Sequence, residues 1–103
     1  MIKDMIHNLT NSDRVNMTSF WGDTIYTCAT DICNKLGVKI TCYGGDKTNF
    51  EFELETEDGI AFTLYDWKEG DWVTKDTRLH YHIGARSADE SKKVLEIIKS
   101  LEL

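Results

Sequence analysis

The side chains best suited to grip a metal ion are Cys28, Cys33, Cys42, His80 and His82. Structural zinc centres draw on Cys and His at short spacings such as C-x-x-C, and no such pair occurs here. Cys28 and Cys33 stand five apart, which on a helix is about 140° around the axis, so their thiols diverge. As small hydrophobes they serve better as core material. Neither a nucleophile elbow nor a known cysteine-enzyme signature surrounds them, and a thiol on a buried stripe is inert. The sequence therefore assigns no metal, no cofactor and no catalytic residue.

Other groups suit binding better than catalysis. Glu51, Glu53 and Glu55 form a ladder on one strand face. Glycosidase chemistry needs two carboxylates across a cleft in different environments, so a row of three reads as a solvated face. Gly44-Gly45-Asp46-Lys47-Thr48 has the ingredients of a phosphate loop. It lacks the Walker spacing and leads into a strand, which makes it a turn bearing Lys47. Gly84-Ala85-Arg86-Ser87 brings Arg86 to the start of the last helix, where free N–H groups and the helix dipole favour an anion.

The densest chemistry lies in Tyr65-Asp66-Trp67-Lys68-Glu69-Gly70-Asp71-Trp72. Tyr65 and Trp67 share one face of a strand, and Lys68 follows at its end. With Phe62 and Leu64 directed at the core, the two rings lie on the opposite face. Large rings there need a cover: a second subunit, a loop or a ligand. Flat aromatics beside cations suit a nucleobase and its phosphate. An interface and a ligand site both remain open, and one surface can be both.

The elements that position these groups follow from periodicity. Met1 to Leu9 fits one or two helical turns, with Ile2, Met5, Ile6 and Leu9 on one side. Val15 to Phe20 reads as a first strand. Thr24 to Leu36 reads as a helix with Ile25, Cys28, Ala29, Ile32, Cys33 and Leu36 in one stripe, capped by Asp23 or Thr24 and stopped by Gly37. Val38 to Tyr43 favours a strand. Asn49 to Glu55 alternates strictly, Asp58-Gly59 signals a hairpin, and Ile60 to Trp67 returns. Lys68 to Arg78 is a charged loop. Leu79 to Gly84 is a strand with His80 and His82 on one face, and Ser87-Ala88-Asp89-Glu90 is a capping box opening the last helix. The expected architecture is one α+β domain, residues 1–103, with an antiparallel sheet of three to five strands packed by two or three helices.

Composition narrows the partners. The chain has 103 residues, 41% hydrophobic and 29% charged, enough for one globular core. A net charge of −6 opposes long DNA or RNA, which needs clustered cations along many phosphates. It leaves room for a small ligand with one or two phosphates. No apolar run approaches a bilayer span, and Met1 to Thr10 lacks a signal-type apolar stretch. Three cysteines without such a signal suit a reducing cytoplasm.

Phe62-Thr63-Leu64-Tyr65-Asp66-Trp67-Lys68-Glu69, followed by His82-Ile83-Gly84-Ala85-Arg86-Ser87, resembles a pattern in small phage-encoded proteins. Leu36-Gly37 and Asp46-Lys47-Thr48 fit it too, and the likeness covers residues 20–103. The pattern is most similar to viral sponge proteins of the anti-CBASS type, which sequester cyclic-oligonucleotide immune signals. That resemblance implies a non-enzymatic homo-oligomer, for instance a tetramer, holding cyclic dinucleotides between subunits in the host cytoplasm. It assigns no ligand contacts, and the first 19 residues fall outside it.

From the residues themselves, Tyr65, Trp67 or Trp72 would stack on bases. Lys47, Lys68 and Arg86 would neutralise phosphates, Ser87 and the helix start would add donors, and His80 and His82 would read base edges. The competing expectation is a small acidic phage protein that blocks a host enzyme's basic groove through Glu51, Glu53, Glu55, Glu57 and Asp58.

Overall fold

The strict alternation after residue 49 builds the centre of the fold. The computed structural model describes residues 6–44 and 47–101. In it, strand β1 is Ile6–Asn8, β2 Ser19–Thr27, β3 Cys42–Tyr43, β4 Phe50–Thr56, β5 Ala61–Tyr65 and β6 Leu79–Ala85. Helix α1 is Ala29–Leu36 and α2 is Ala88–Ser100, and a 3₁₀ turn, Ser12–Val15, lies between β1 and β2. The strands form one antiparallel sheet in the order β1-β4-β5-β6-β2, and β3 shares the outer edge of β4 with β1.

Register carries the alternation across the sheet. Phe52 pairs with Leu64 and Leu64 with Ile83, so Phe52, Leu54, Phe62, Leu64, Tyr81 and Ile83 point to one side and are fully buried. Ala29, Ile32 and Leu36 of α1 and Val94 and Ile98 of α2 join the same core. Both helices therefore cover one face of an antiparallel sheet and leave the other open, which is the expected α+β class. The hairpin signal holds: Gly59 takes φ +92°, a left-handed conformation that favours glycine, and its N–H donates to Thr56. Gly37, at φ 69°, stops α1, and Ser87 caps α2 by accepting from the Glu90 amide at 3.1 Å.

Several boundaries differ from the periodicity. Ile6–Asn8 is a strand and not part of a helix, and residues 1–5 of that expected helix lie outside the described residues. Thr24 to Thr27 are the end of a nine-residue strand, so the helix begins at Ala29 with Cys28 as its cap position. The strand expected at residues 15–20 starts at Ser19 and runs through this stretch. Only Cys42 and Tyr43 of the strand expected at residues 38–43 pair with β4.

The misreading of β2 has a physical cause. Two of its inward positions, Asp23 and Thr27, are polar yet buried. Asp23 does not cap α1. Its carboxylate accepts from the Ser91 hydroxyl at 2.7 Å and from the Lys92 ammonium at 2.5 Å, tying β2 to α2. The bond from Lys92, then that from Ser91, holds its carboxyl below the ordinary value of 3.8 despite burial. A depressed pKa gives stability that is present above the ordinary value and lost as pH falls through the folded one. Asp23→Asn is thus expected to cost about 1–3 kcal/mol at pH 7. In urea unfolding the gap to the parent chain should close only as pH falls below 3.8.

A second buried group works against stability. The Tyr81 hydroxyl is buried without a hydrogen-bond partner among the described residues. Burial, reinforced by nearby Asp66, pushes its phenol well above the ordinary range. Tyr81→Phe removes that unpaired oxygen and keeps the ring. It should raise the urea midpoint, by about 1 kcal/mol of stability, where most core substitutions lower it.

Candidate functional site

The open face of the sheet is built from the outward partners of the core residues. Across it, Glu51 pairs with Tyr65, Tyr65 with His82 and His82 with Thr24. The next row is Glu53, Thr63, Gly84 and Phe20. Rings join these rows into a belt. Phe20 stacks on His82 with centroids 4.1 Å apart and planes at 22°. His82 lies 5.4 Å from Tyr65, and Tyr65 meets Trp67 edge to face at 6.1 Å. Phe20 remains 44% exposed and Trp67 40%, so much of the belt is in contact with solvent. Burial holds the His82 imidazole below its ordinary pKa of 6.5, with Glu69 opposing and His80 adding to the shift. Its ring is therefore mostly uncharged at neutral pH, which suits its stack on Phe20.

Trp67 sits where this belt meets two loops, and a buried carboxylate positions it. Asp66 is fully buried on the core side. One oxygen accepts from the Asn49 and Phe50 amides at 2.8 and 2.9 Å, and the other from the Asn49 side chain at 2.8 Å. The Asn49 side chain also donates to the Gly70 carbonyl, and the Lys68 N–H donates to the Lys47 carbonyl at 2.8 Å. Lys68 takes the left-handed φ of 53°, uncommon for a residue with a side chain. These bonds close the loop before β4 onto the loop after β5. The ammonium groups of Lys47 and Lys68 consequently lie 5.7 and 5.6 Å from the Trp67 ring centre. Neither has a carboxylate partner among the described residues.

Two hollows are lined by neighbouring residues of this segment, one by Lys68 and the other by Trp67. One, of about 370 Å³, is lined by Lys47, Lys68, Thr48, Asn49 and the loop from Gly70 to Asp71. The other, of about 270 Å³, runs over the open face between Glu51, Glu53, Thr63, Tyr65, Trp67 and Gly84, with Val15, Thr18 and Ser19 as its far rim. The first is cationic, the second aromatic and acidic, and each lies near the small end of ligand pockets.

The other expected residues sit elsewhere. His80 shares the open face but contacts Tyr26 at 5.0 Å and the Thr24 hydroxyl at 3.4 Å. Trp72 is 65% exposed and packs beside Gly70 in the loop that lines the cationic hollow. Arg86 and Ser87 are not part of this cluster. Thr63 pairs with Gly84 in antiparallel strands, so Trp67 and Arg86 lie six residues apart along the sheet, about 20 Å. Arg86 donates to the Arg14 carbonyl at 2.7 Å and borders a separate hollow with Asp13, Asn16 and Met17. Ser87 is engaged as the α2 cap. Among the described residues no three of the His, Cys, Asp and Glu side chains gather into a metal site. Cys28 is buried, Cys33 half-buried and Cys42 exposed.

Phe20, Thr63, Gly84 and the place of Glu51 and Glu53 as groove walls did not emerge from the sequence. The carboxylates were legible in principle, because alternation in the two hairpin strands puts Glu51 and Glu53 on the face of Thr63 and Tyr65. Phe20 reaches the site only through the long pairing of β2 with β6. No family profile, curated protein or solved structure matches this chain.

Asp66 gives the site a direct test. Asp66→Asn would set its amide N–H groups against the Asn49 amide, and should cost about 1–3 kcal/mol. Hydrogen exchange at the Asn49 and Phe50 amides should accelerate more than at Ile83.

Proposed function

We propose that this chain is a non-enzymatic binding protein that sequesters a cyclic dinucleotide, acting as a phage immune-evasion sponge. The observation that carries this reading is Trp67: a half-exposed indole with two ammonium groups near its ring and no carboxylate paired with either among the described residues. A base stacks on such a ring, and its phosphate meets Lys47 and Lys68 next door. Tyr65 and His82 extend the stacking surface. Arg86 and Ser87, far along the sheet, drop out of the phosphate site in this reading.

Sequestration asks for affinity and not turnover. Outcompeting a receptor takes a Kd of about 1 nM, near −12 kcal/mol. Two small open hollows bury only part of a dinucleotide, so tight binding calls for a second subunit to close over the ligand. A homo-oligomer with ligand held between copies meets that need.

A thermal-shift panel of cyclic dinucleotides tests the reading, and a rise in Tm that grows with ligand concentration is expected. Ligand recovered intact after heating the complex supports sequestration, and cleaved ligand excludes it. Trp67→Ala should weaken binding by about 1–3 kcal/mol in calorimetry. Lys47→Ala and Lys68→Ala should each flatten its salt dependence. No shift with any dinucleotide, together with salt-sensitive capture of one host enzyme, would replace the sponge with a protein inhibitor.

A further inference from the structure

We infer that the groove beside Trp67 reads guanine, so that the preferred ligands are guanine-containing cyclic dinucleotides; this rests on the sequestration reading. The groove's charged walls are acceptors. Glu51 gives one carboxylate oxygen to the Thr48 hydroxyl at 3.3 Å, and the Glu53 carboxylate has no partner among the described residues. Both are half-buried in a hollow walled by Tyr65 and Trp67. Half-buried carboxylates without a counter-charge call for N–H donors.

Thr63 and Gly84 floor the groove, with the Thr63 hydroxyl, the Tyr65 ring and the Thr18 hydroxyl standing over Gly84. A planar group enters against the Tyr65 and Trp67 rings, with its edge towards the carboxylates.

The donor pattern then separates the bases. Guanine presents a ring N–H and an amino group side by side, which fit one carboxylate in a two-point contact. Adenine and cytosine each set an amino group beside a ring nitrogen acceptor, which faces a carboxylate lone pair to lone pair. Uracil has one N–H between two carbonyls. An arginine side chain also offers paired N–H donors and a flat face. It carries a positive charge, however, and Lys47 and Lys68 stand beside the same indole. A group with a donor edge, a π face and an attached anion satisfies both hollows, and that group is a guanine nucleotide.

The test measures Kd by calorimetry for cyclic di-GMP, its inosine analogue, which lacks only the 2-amino groups, and cyclic di-AMP. Cyclic di-GMP is expected to bind at least 10-fold more tightly than either. Glu53→Gln and Glu51→Gln, isosteric changes at half-exposed positions, should erode that preference about 10-fold between them. Affinity for cyclic di-AMP should rise and not fall, because the glutamine amide offers the adenine ring nitrogen an N–H where the carboxylate offered a lone pair. Equal affinity for cyclic di-AMP and cyclic di-GMP overturns the base assignment and leaves sequestration standing. Binding of an arginine-rich peptide in place of the nucleotides overturns it as well. If none of the three nucleotides binds, the sequestration reading fails and the base assignment falls with it.

Discussion

The buried carboxylate of Asp66 is the constraint around which the candidate site is arranged. A charge taken out of water must be fully hydrogen-bonded, and here three N–H donors from Asn49 and Phe50 meet it. Those donors lie at the start of β4, so the end of β5 is tied to the loop that carries Lys47. Successive side chains of an extended chain point to opposite faces. With Asp66 directed inward, Tyr65 and Trp67 are directed outward. One internal charge thus places two rings on the surface and brings two lysines beside one of them.

The rest of the fold keeps that surface open. Both helices pack on the other face, where Phe52, Phe62, Leu64, Tyr81 and Ile83 need cover. The open face is roofed at one end, where Arg14 pairs with Glu55 and donates to the Gly59 carbonyl at 2.5 Å. That segment stops at the rim of the aromatic groove, which Val15, Thr18 and Ser19 form. Edge strands invite pairing with other chains. Here β1 and β3 lie end to end along β4, while β2 bends at Gly22, φ 98°, where its register with β6 shifts.

Legibility in the sequence followed distance along the chain. The β4–β5 hairpin, the Gly37 stop and the Ser87 cap depend on neighbours a few residues away, and local pattern revealed them. Strand β2 did not, because Asp23 looks like a helix cap until Ser91 and Lys92, nearly seventy residues on, are seen to hold it. Ile25 and Cys28 then complete a helical spacing by coincidence. Arg86 joins Lys68 in the sequence reading because it stands at the start of the last helix, where an anion is favoured. Antiparallel pairing sends the end of β5 and the end of β6 to opposite ends of the sheet. The alternation that set the rings outward also set Glu51 and Glu53 beside them, but a carboxylate ladder reads as solvated until a groove is seen between its members and an indole.

The overall charge of −6 and a local pair of lysines able to meet an anion are compatible for a reason of range. At physiological salt the Debye length is about 8 Å, so exposed charges farther away are largely screened. Lys47 and Lys68 lie within 6 Å of one ring centre, and a phosphate placed there meets them at close range. A long polyanion would gain few cations beyond these two. Under the proposed sequestration reading, the same arrangement admits a small phosphate ester and disfavours a nucleic acid strand. Size selection of this kind follows from where the cations are clustered, not from how many the chain contains.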